Sequence, residues 1–256
     1  MGKVPRVNIL GVGISAINMA TALEIIEKWI TEQSPHYVCV TPVHSVMDCQ
    51  HSPALRHIQN ASGLSTPDGM PLVWLSRLKG FRHVERVYGP DLMLALCERS
   101  AAKGYRHFFY GGAEGVPEQL ASVLQKRFPG LQVAGTFSPP FRPLTPEEDE
   151  QIVQIINKAA PDVVWVGLGS PKQEYWMAEH VGRLTAPVLI GVGAAFDFLT
   201  GRKPQAPRWM QRAGLEWLFR LLTEPRRLWR RYLINNPLFL ALVALQALGV
   251  RRYRLE

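Results

Sequence analysis

Two glycine turns in this chain carry the residue types that hold anions. In DVVWVGLGSPKQEYW (162–176), an apolar run ends at Gly167 and Gly169, and a helix can begin at Ser170-Pro171. Ser170 suits an N-cap and Pro171 the first helical position. A strand, a glycine turn and a helix N-terminus aim backbone N–H groups at one spot, where the helix dipole also favours negative charge. Lys172 and Gln173 add a cation and an amide there. The second turn, Gly111-Gly112-Ala113-Glu114-Gly115, follows the apolar run His107 to Tyr110 and repeats the arrangement. Other polar groups stand at the ends of apolar runs: Thr41 before Pro42, Asp68 in LSTPDGMP, Arg86 in ERVYGPDL, and Asp197, a lone acid in GVGAAFDFLTG. Singly, an Asp-Gly marks a turn and a strand-end Arg a surface position. Gathered beyond the carboxyl ends of parallel strands, they make a ligand site.

The elements needed to gather them are legible. Strand signals cover Val7 to Val12, Tyr37 to Thr41, His107 to Tyr110, Leu131 to Gly135, Val163 to Gly167 and Val188 to Val192. Helical patterns lie between them at Ala20 to Thr31, Leu92 to Lys103, Pro117 to Phe128 and Pro146 to Ala159. Thr145-Pro146-Glu147-Glu148 reads as a capping box with proline at the first helical position. The alternation predicts an α/β fold with a mainly parallel sheet flanked by helices.

A chain of 256 residues with 47% hydrophobic side chains can fill a large core. Three cysteines without a CxxC pair fit a reducing compartment. MGKVPR leads into no signal-peptide pattern, and no apolar stretch reaches the ~20 residues of a spanning helix, so a cytoplasmic location is expected. The net charge of +8 is uneven: from Arg202 onward there are twelve Arg or Lys against Glu216, Glu224 and Glu256. That excess calls for an anionic partner. GLEWLFRLLTEPRRLWRRYLI (214–234) mixes Trp217, Phe219, Trp229 and Tyr232 with Leu and Arg, the composition of an interfacial helix on an acidic membrane, and Pro225 should restart the helix. LFLALVALQALGV is too short to span a bilayer and suits shallow insertion or packing under the domain. No nucleic-acid motif accompanies the charge, so no nucleic-acid partner is expected. The division expected is an α/β core over 1–201 and a basic, amphipathic helical appendage over 202–256.

Three rival readings are available. Gly11-Val12-Gly13 with Ala16 partly matches a dinucleotide fingerprint, but Thr41-Pro42 stands where the second strand should end in an acid, which disfavours a nicotinamide oxidoreductase. His44, Asp48 and His51 at i, i+4, i+7 could hold zinc, although such spacing is more often a solvated face or a site wall. The basic tail alone would also serve a non-enzymatic nucleic-acid or membrane-binding module.

The chain resembles the WecG/TagA/CpsF bacterial glycosyltransferases from about Val7 through Leu233. The markers are Thr41-Pro42, Pro67-Asp68-Gly69, Glu85-Arg86 with Gly89, Gly167 through Glu174, GAAFDFLTG, and APRWMQRAGLEWLFRLLTEPRRLWRRY. The resemblance implies a Rossmann-like core with a membrane-associating C-terminal appendage. It implies inverting, metal-independent transfer of a sugar, of hexose, N-acetylmannosamine or uronic acid type, from a UDP-sugar to a polyprenyl-diphosphate-linked saccharide. No cofactor and no metal are expected, and no Asp-x-Asp metal-diphosphate motif occurs. The enzyme would lie on the inner face of the cell membrane, bound to its anionic surface.

Carried onto this chain, the family's roles make Asp68 the base for the acceptor hydroxyl. Thr41 would position acceptor or sugar, Gln173 matches the family's active-site glutamine, and Asp197 would accept hydrogen bonds from the nucleoside. Arg86 would stabilise the departing diphosphate with the N–H groups around Gly111, Gly112, Gly167 and Gly169 and with Lys172. Arg220, Arg227 and Arg230 recur at helical spacing, which suggests that some of them face the diphosphate while the tail docks on anionic lipid. Family members commonly carry Asn after Thr-Pro; here Val43 stands there, so that role is either missing or supplied elsewhere, with His44 a candidate.

Overall fold

A computed structural model describes residues 4–255. The described strands are β1 (Arg6–Ile9), β2 (Val12–Ser15), β3 (His36–Thr41), β4 (Leu64–Pro67), β5 (Arg106–Gly111), β6 (Gln132–Phe137), β7 (Val163–Gly167) and β8 (Val188–Gly191). β1 and β2 form a two-stranded sheet, and the other six follow the order β4-β3-β8-β7-β5-β6. The pairs β3–β8, β8–β7, β7–β5 and β5–β6 are all parallel. The fold is therefore α/β and Rossmann-like. The chain divides into two compact units, one holding residues up to Met19, Val40–Tyr88 and the residues from Gln205 on, the other Ala20–Cys39 and Gly89–Pro204.

In the second unit the inner strands β7 and β8 are apolar on both faces, as a helix-covered parallel sheet requires. Val163 to Val166 and Phe109 are fully buried. Burial of each such side chain contributes roughly 1.5–3 kcal/mol. His107, an imidazole buried in this core, accepts a hydrogen bond at Nδ1 from Trp165 Nε1 at 2.8 Å. Burial pushes it down to about 3, so it stays neutral. The helices are Met19–Thr31, Gly89–Lys103, Val116–Arg127, Pro146–Ala159, Lys172–His180 and the short Ala195–Leu199. The expected capping box closes Pro146–Ala159: Glu148 N–H donates to Thr145 Oγ1 at 3.3 Å and Thr145 N–H to Glu148 Oε2 at 2.9 Å.

β5 and β7 end together, with Gly111 opposite Gly167. Gly111 has φ 118°, and a Cβ on it would lie 2.6 Å from the Gly167 carbonyl carbon. Glycine is required at Gly111 both by that conformation and by the contact. The next N–H, of Gly112, donates to Gly167 O at 3.1 Å. The two predicted anion turns are thus joined to each other through backbone.

In the first unit, the run read as one strand from Val7 to Val12 is a hairpin. Leu10 and Gly11, the two loop residues, have φ of 53° and 82°, the positive values that tight hairpins between twisted strands favour. Gly11-Val12-Gly13 therefore lies in a hairpin turn and a strand, not at a strand-to-helix turn, and the dinucleotide fingerprint falls with it. A second correction concerns the turn after β7: the helix begins at Lys172, Pro171 takes the N-cap position in place of Ser170, and Ser170-Pro171 is a cis peptide. The helices Val43–His51, Pro53–Ala61 and Met70–Leu78 follow the hairpin, and the tail adds Arg208–Arg212, Glu216–Thr223, Pro225–Leu233 and Asn235–Ala247. Pro225 restarts its helix as expected. Leu10 N–H donates to Gln246 Oε1 at 3.1 Å and Asn8 Nδ2 to Tyr253 O at 2.8 Å, which fastens the end of the tail to the hairpin.

Gly111→Ala should lower the unfolding free energy by ~2–4 kcal/mol through overpacking and backbone strain. Urea unfolding would measure it, with Gly115→Ala as a comparison that meets no neighbour within 4 Å of the added methyl.

Candidate active site

The first unit contains a cavity of about 390 Å³, walled by the β3 and β4 exits, the helix Met70–Leu78 and the tail helices. Its lining includes the apolar Met70, Pro71, Trp74, Leu215, Phe239 and Leu240 and the charged Asp68, Arg86, Glu216 and Arg220. Gly214 permits this closeness, because a Cβ there would meet the Trp74 ring at 2.8 Å. Trp217 and Tyr232, read from sequence as membrane-facing aromatics, are instead cavity walls with ring centroids 6.1 Å apart.

Asp68 leaves β4 with its N–H donating to Thr41 O at 3.1 Å. Arg86 approaches from a segment held by Val87 N–H donating to Pro67 O at 3.0 Å. The guanidinium donates through Nε to Asp68 O, and through Nη2 to Asp68 Oδ1 at 3.2 Å and Glu216 Oε2 at 2.5 Å. It also lies 4.1 Å over the Tyr88 ring. The side chains of Asp68, Arg86 and Glu216 are only 17, 16 and 15% exposed, so their charges act in a poorly screened environment. Burial raises the Asp68 carboxyl to about 6; Arg86 opposes the rise and Glu216 adds to it. A carboxyl so poised can take a proton near neutral pH.

Thr41 is fully buried behind this wall: its hydroxyl lies 2.9 Å from Ser65 Oγ and accepts from Gln59 Nε2 at 2.5 Å. His44 lines the cavity beside Val43. Burial, followed by the charges of Arg231 and Arg220, holds its imidazole well below the ordinary value, so it is neutral. The zinc alternative is not met: among the described residues, no three His, Cys, Asp or Glu side chains are gathered so as to hold a metal.

The tail arginines separate. Arg220 lines the cavity, whereas Arg227, 53% exposed, pairs with Glu224 at 2.6 Å, and Arg230 is exposed with its guanidinium 5.2 Å over the Trp229 ring. The helical spacing that relates them holds only within one continuous helix. Glu224, at φ −131° and ψ 56°, breaks it.

In the second unit, Gly167, Gly169, Lys172 and Gln173 share the turn after β7, and Gly111 and Gly112 meet it through Gly167. Lys172 is exposed. Gln173 is buried; its Nε2 donates to Glu174 Oε1 at 3.2 Å, and its Oε1 has no hydrogen-bond partner among the described residues. Asp197, read as a lone acid, pairs with Lys203 at 3.2 Å. Sequence reasoning missed Glu216 and Gln59 altogether. Glu216 alone carried a signal, as one of three acids in a strongly basic tail.

A family model described as Glycosyl transferase WecG/TagA/CpsF family matches residues 7–253. The chain belongs to that family. It is similar to an N-acetylglucosaminyldiphosphoundecaprenol N-acetyl-beta-D-mannosaminyltransferase of Bacillus spizizenii, 32% identical over 186 residues that cover 73% of this chain and 70% of that protein. A Staphylococcus aureus protein of the same name is 27% identical over 242 residues, 93% of this chain and 92% of its own length. The chain is thus a glycosyltransferase.

The raised Asp68 carboxyl gives this glycosyltransferase a pH-dependent stability. Folded Asp68 holds its proton more tightly than an unfolded Asp near 3.9 does. The stability it contributes is full below about pH 4 and is lost as pH rises through about 6. Relative to wild type, Asp68→Asn should therefore gain stability between those two values and level off above them. Urea unfolding of both proteins at a series of pH values checks this.

Proposed function

We propose that the enzyme transfers an N-acetylmannosamine-type sugar from a UDP-linked donor to a saccharide on a polyprenyl diphosphate, with inversion and without a metal, in the synthesis of a bacterial cell-surface polymer. The observation that carries this reading is Asp68, a largely buried carboxyl raised toward neutral pH in a cavity lined by both apolar and charged side chains. It takes the proton of the acceptor hydroxyl while that oxygen bonds to the anomeric carbon and the bond from that carbon to the donor diphosphate breaks. The leaving diphosphate is stabilised by cations and aimed N–H groups. Arg220 supplies positive charge in the cavity and Arg86 holds the base. Thr41, its hydroxyl tied to Gln59 and Ser65, sets the β3 exit from which Asp68 is held.

The donor is assigned to the turns around Gly111, Gly112, Gly167 and Gly169, with Lys172, Gln173 and Asp197. The buried Gln173 Oε1 supports that assignment, since a buried acceptor left unpaired costs about 1–3 kcal/mol and a ligand donor would satisfy it. The names of the relatives support the acceptor class and the sugar.

The outer side of the tail fits reversible attachment to anionic lipid. The tail exposes Arg227 and Arg230 and also Trp209, Leu222, Trp229, Leu233 and Ile234, and no described helix is long and apolar enough to cross a membrane. Each arginine near an acidic surface adds about 1 kcal/mol.

Mass spectrometry of products from a panel of UDP-sugars, offered with polyprenyl-diphosphate-linked N-acetylglucosamine in EDTA, tests the reading. A single added N-acetylhexosamine is expected; product that forms only after Mg²⁺ or Mn²⁺ is supplied would refute metal independence. Asp68→Asn should reduce turnover ~10²- to 10⁴-fold and leave UDP affinity within a few fold. Arg220→Ala should lose turnover even on a short, soluble acceptor. Arg227→Ala and Arg230→Ala should keep it there and lose salt-sensitive binding to anionic vesicles, read by sedimentation.

A further inference from the structure

The nitrogen of Arg86 that meets the Asp68 carboxylate is shared, and its nearer partner is Glu216, at 2.5 Å against 3.2 Å. An arginine devoted to a neighbouring carboxylate lowers its pKa by 1–3 units and makes it a weak base at neutral pH. Here the same guanidinium must answer two carboxylates. Its Nε contact to Asp68 O fixes the Asp68 backbone as well, so Arg86 orients the loop while its charge is divided.

We infer that Glu216 is a positioning residue for Asp68, acting through Arg86: it claims part of the guanidinium, so that Asp68 is held in place yet remains able to take a proton. This rests on the reading of Asp68 as the base.

The surroundings agree with that division. On Asp68 bear Arg86, Glu216 and, from the same helix as Glu216, Arg220. Tyr88 lies under Arg86, and burial together with the Glu216 and Asp68 charges pushes its hydroxyl up, so it stays protonated. Tyr232, on the helix Pro225–Leu233, responds to Arg220, Arg231, Glu216 and Asp68 and is likewise raised by burial. His44 faces Arg231 and Arg220 and is neutral. Among these neighbours Glu216 is the acid that adds to the rise of Asp68. It sits at the start of the helix Glu216–Thr223, next to Leu215, and is therefore placed by the tail.

The experiment uses the full-length enzyme labelled with ¹³Cγ-aspartate. The chain has six aspartates, so the Asp68 signal can be assigned by its loss in Asp68→Asn. In E216Q the titration midpoint of Asp68 should fall by about one pH unit or more, since a like charge is removed and Arg86 is left to Asp68. The acid limb of the kcat/KM profile should move the same way. E216D, which keeps the charge, should leave the midpoint within a few tenths of a unit of wild type. Thermal unfolding verifies that the variants fold; if E216Q does not, Glu216→Ala carries the same expectation. An unmoved Asp68 midpoint overturns the inference, and so does a moved midpoint with an unmoved pH–rate profile. Failure of the wild-type enzyme to turn over any UDP-sugar counts against the transfer reading alone, because the carboxyl titration is read without turnover.

Discussion

The cavity is organised by one guanidinium held between two carboxylates. Arg86 joins Asp68, 18 residues away in the chain, to Glu216, 130 residues away, with each side chain nearly buried. Two acids so close would repel, and removing one partner of a buried ion pair costs on the order of 3–5 kcal/mol, because the remaining charge stays uncompensated. The trio therefore exists only while the β4 exit, the Arg86 segment and the tail helix are packed together. That requirement explains why Gly214 must be small against Trp74, why Val87 and Pro67 are hydrogen-bonded, and why the tail end is fastened to the β1–β2 hairpin. Packing and proton affinity are here the same problem: the burial that brings the groups together also raises the Asp68 carboxyl.

The tail serves two environments with one composition. Arg220, Trp217, Tyr232 and Phe239 face the cavity, while Arg227, Arg230, Trp209 and Trp229 face outward. The break at Glu224 and Pro225 ends one amphipathic helix and starts another, so each turns its own residues inward. The outward set matches an interfacial surface, on which arginine and tryptophan complement each other at headgroup depth. In the second unit a different constraint rules: Gly111 and Gly167 come too close for side chains, so backbone is what the two turns present.

Local chemistry was readable in the chain itself. The runs that became β3, β5, β6, β7 and β8, the capped helix Pro146–Ala159 and the restart at Pro225 follow from hydrophobic period, proline geometry and capping, all properties of near neighbours. The β1–β2 hairpin was missed because Leu10, a residue not expected at positive φ, occupies its turn; the four-residue β4 was too short to signal a strand. The motifs holding Asp68, Arg86 and Gln173 were also legible, since unusual residues stand beside glycine and proline turns. Nothing local, however, says which charges will meet. That Glu216 would share Arg86, that Arg220 would line the cavity while Arg227 and Arg230 stay outside, and that Thr41 would be tied to Gln59 and Ser65 were settled by tertiary structure. The physical reason is that a charge's partner and proton affinity depend on distance and burial, which arise only when segments remote in sequence pack against one another.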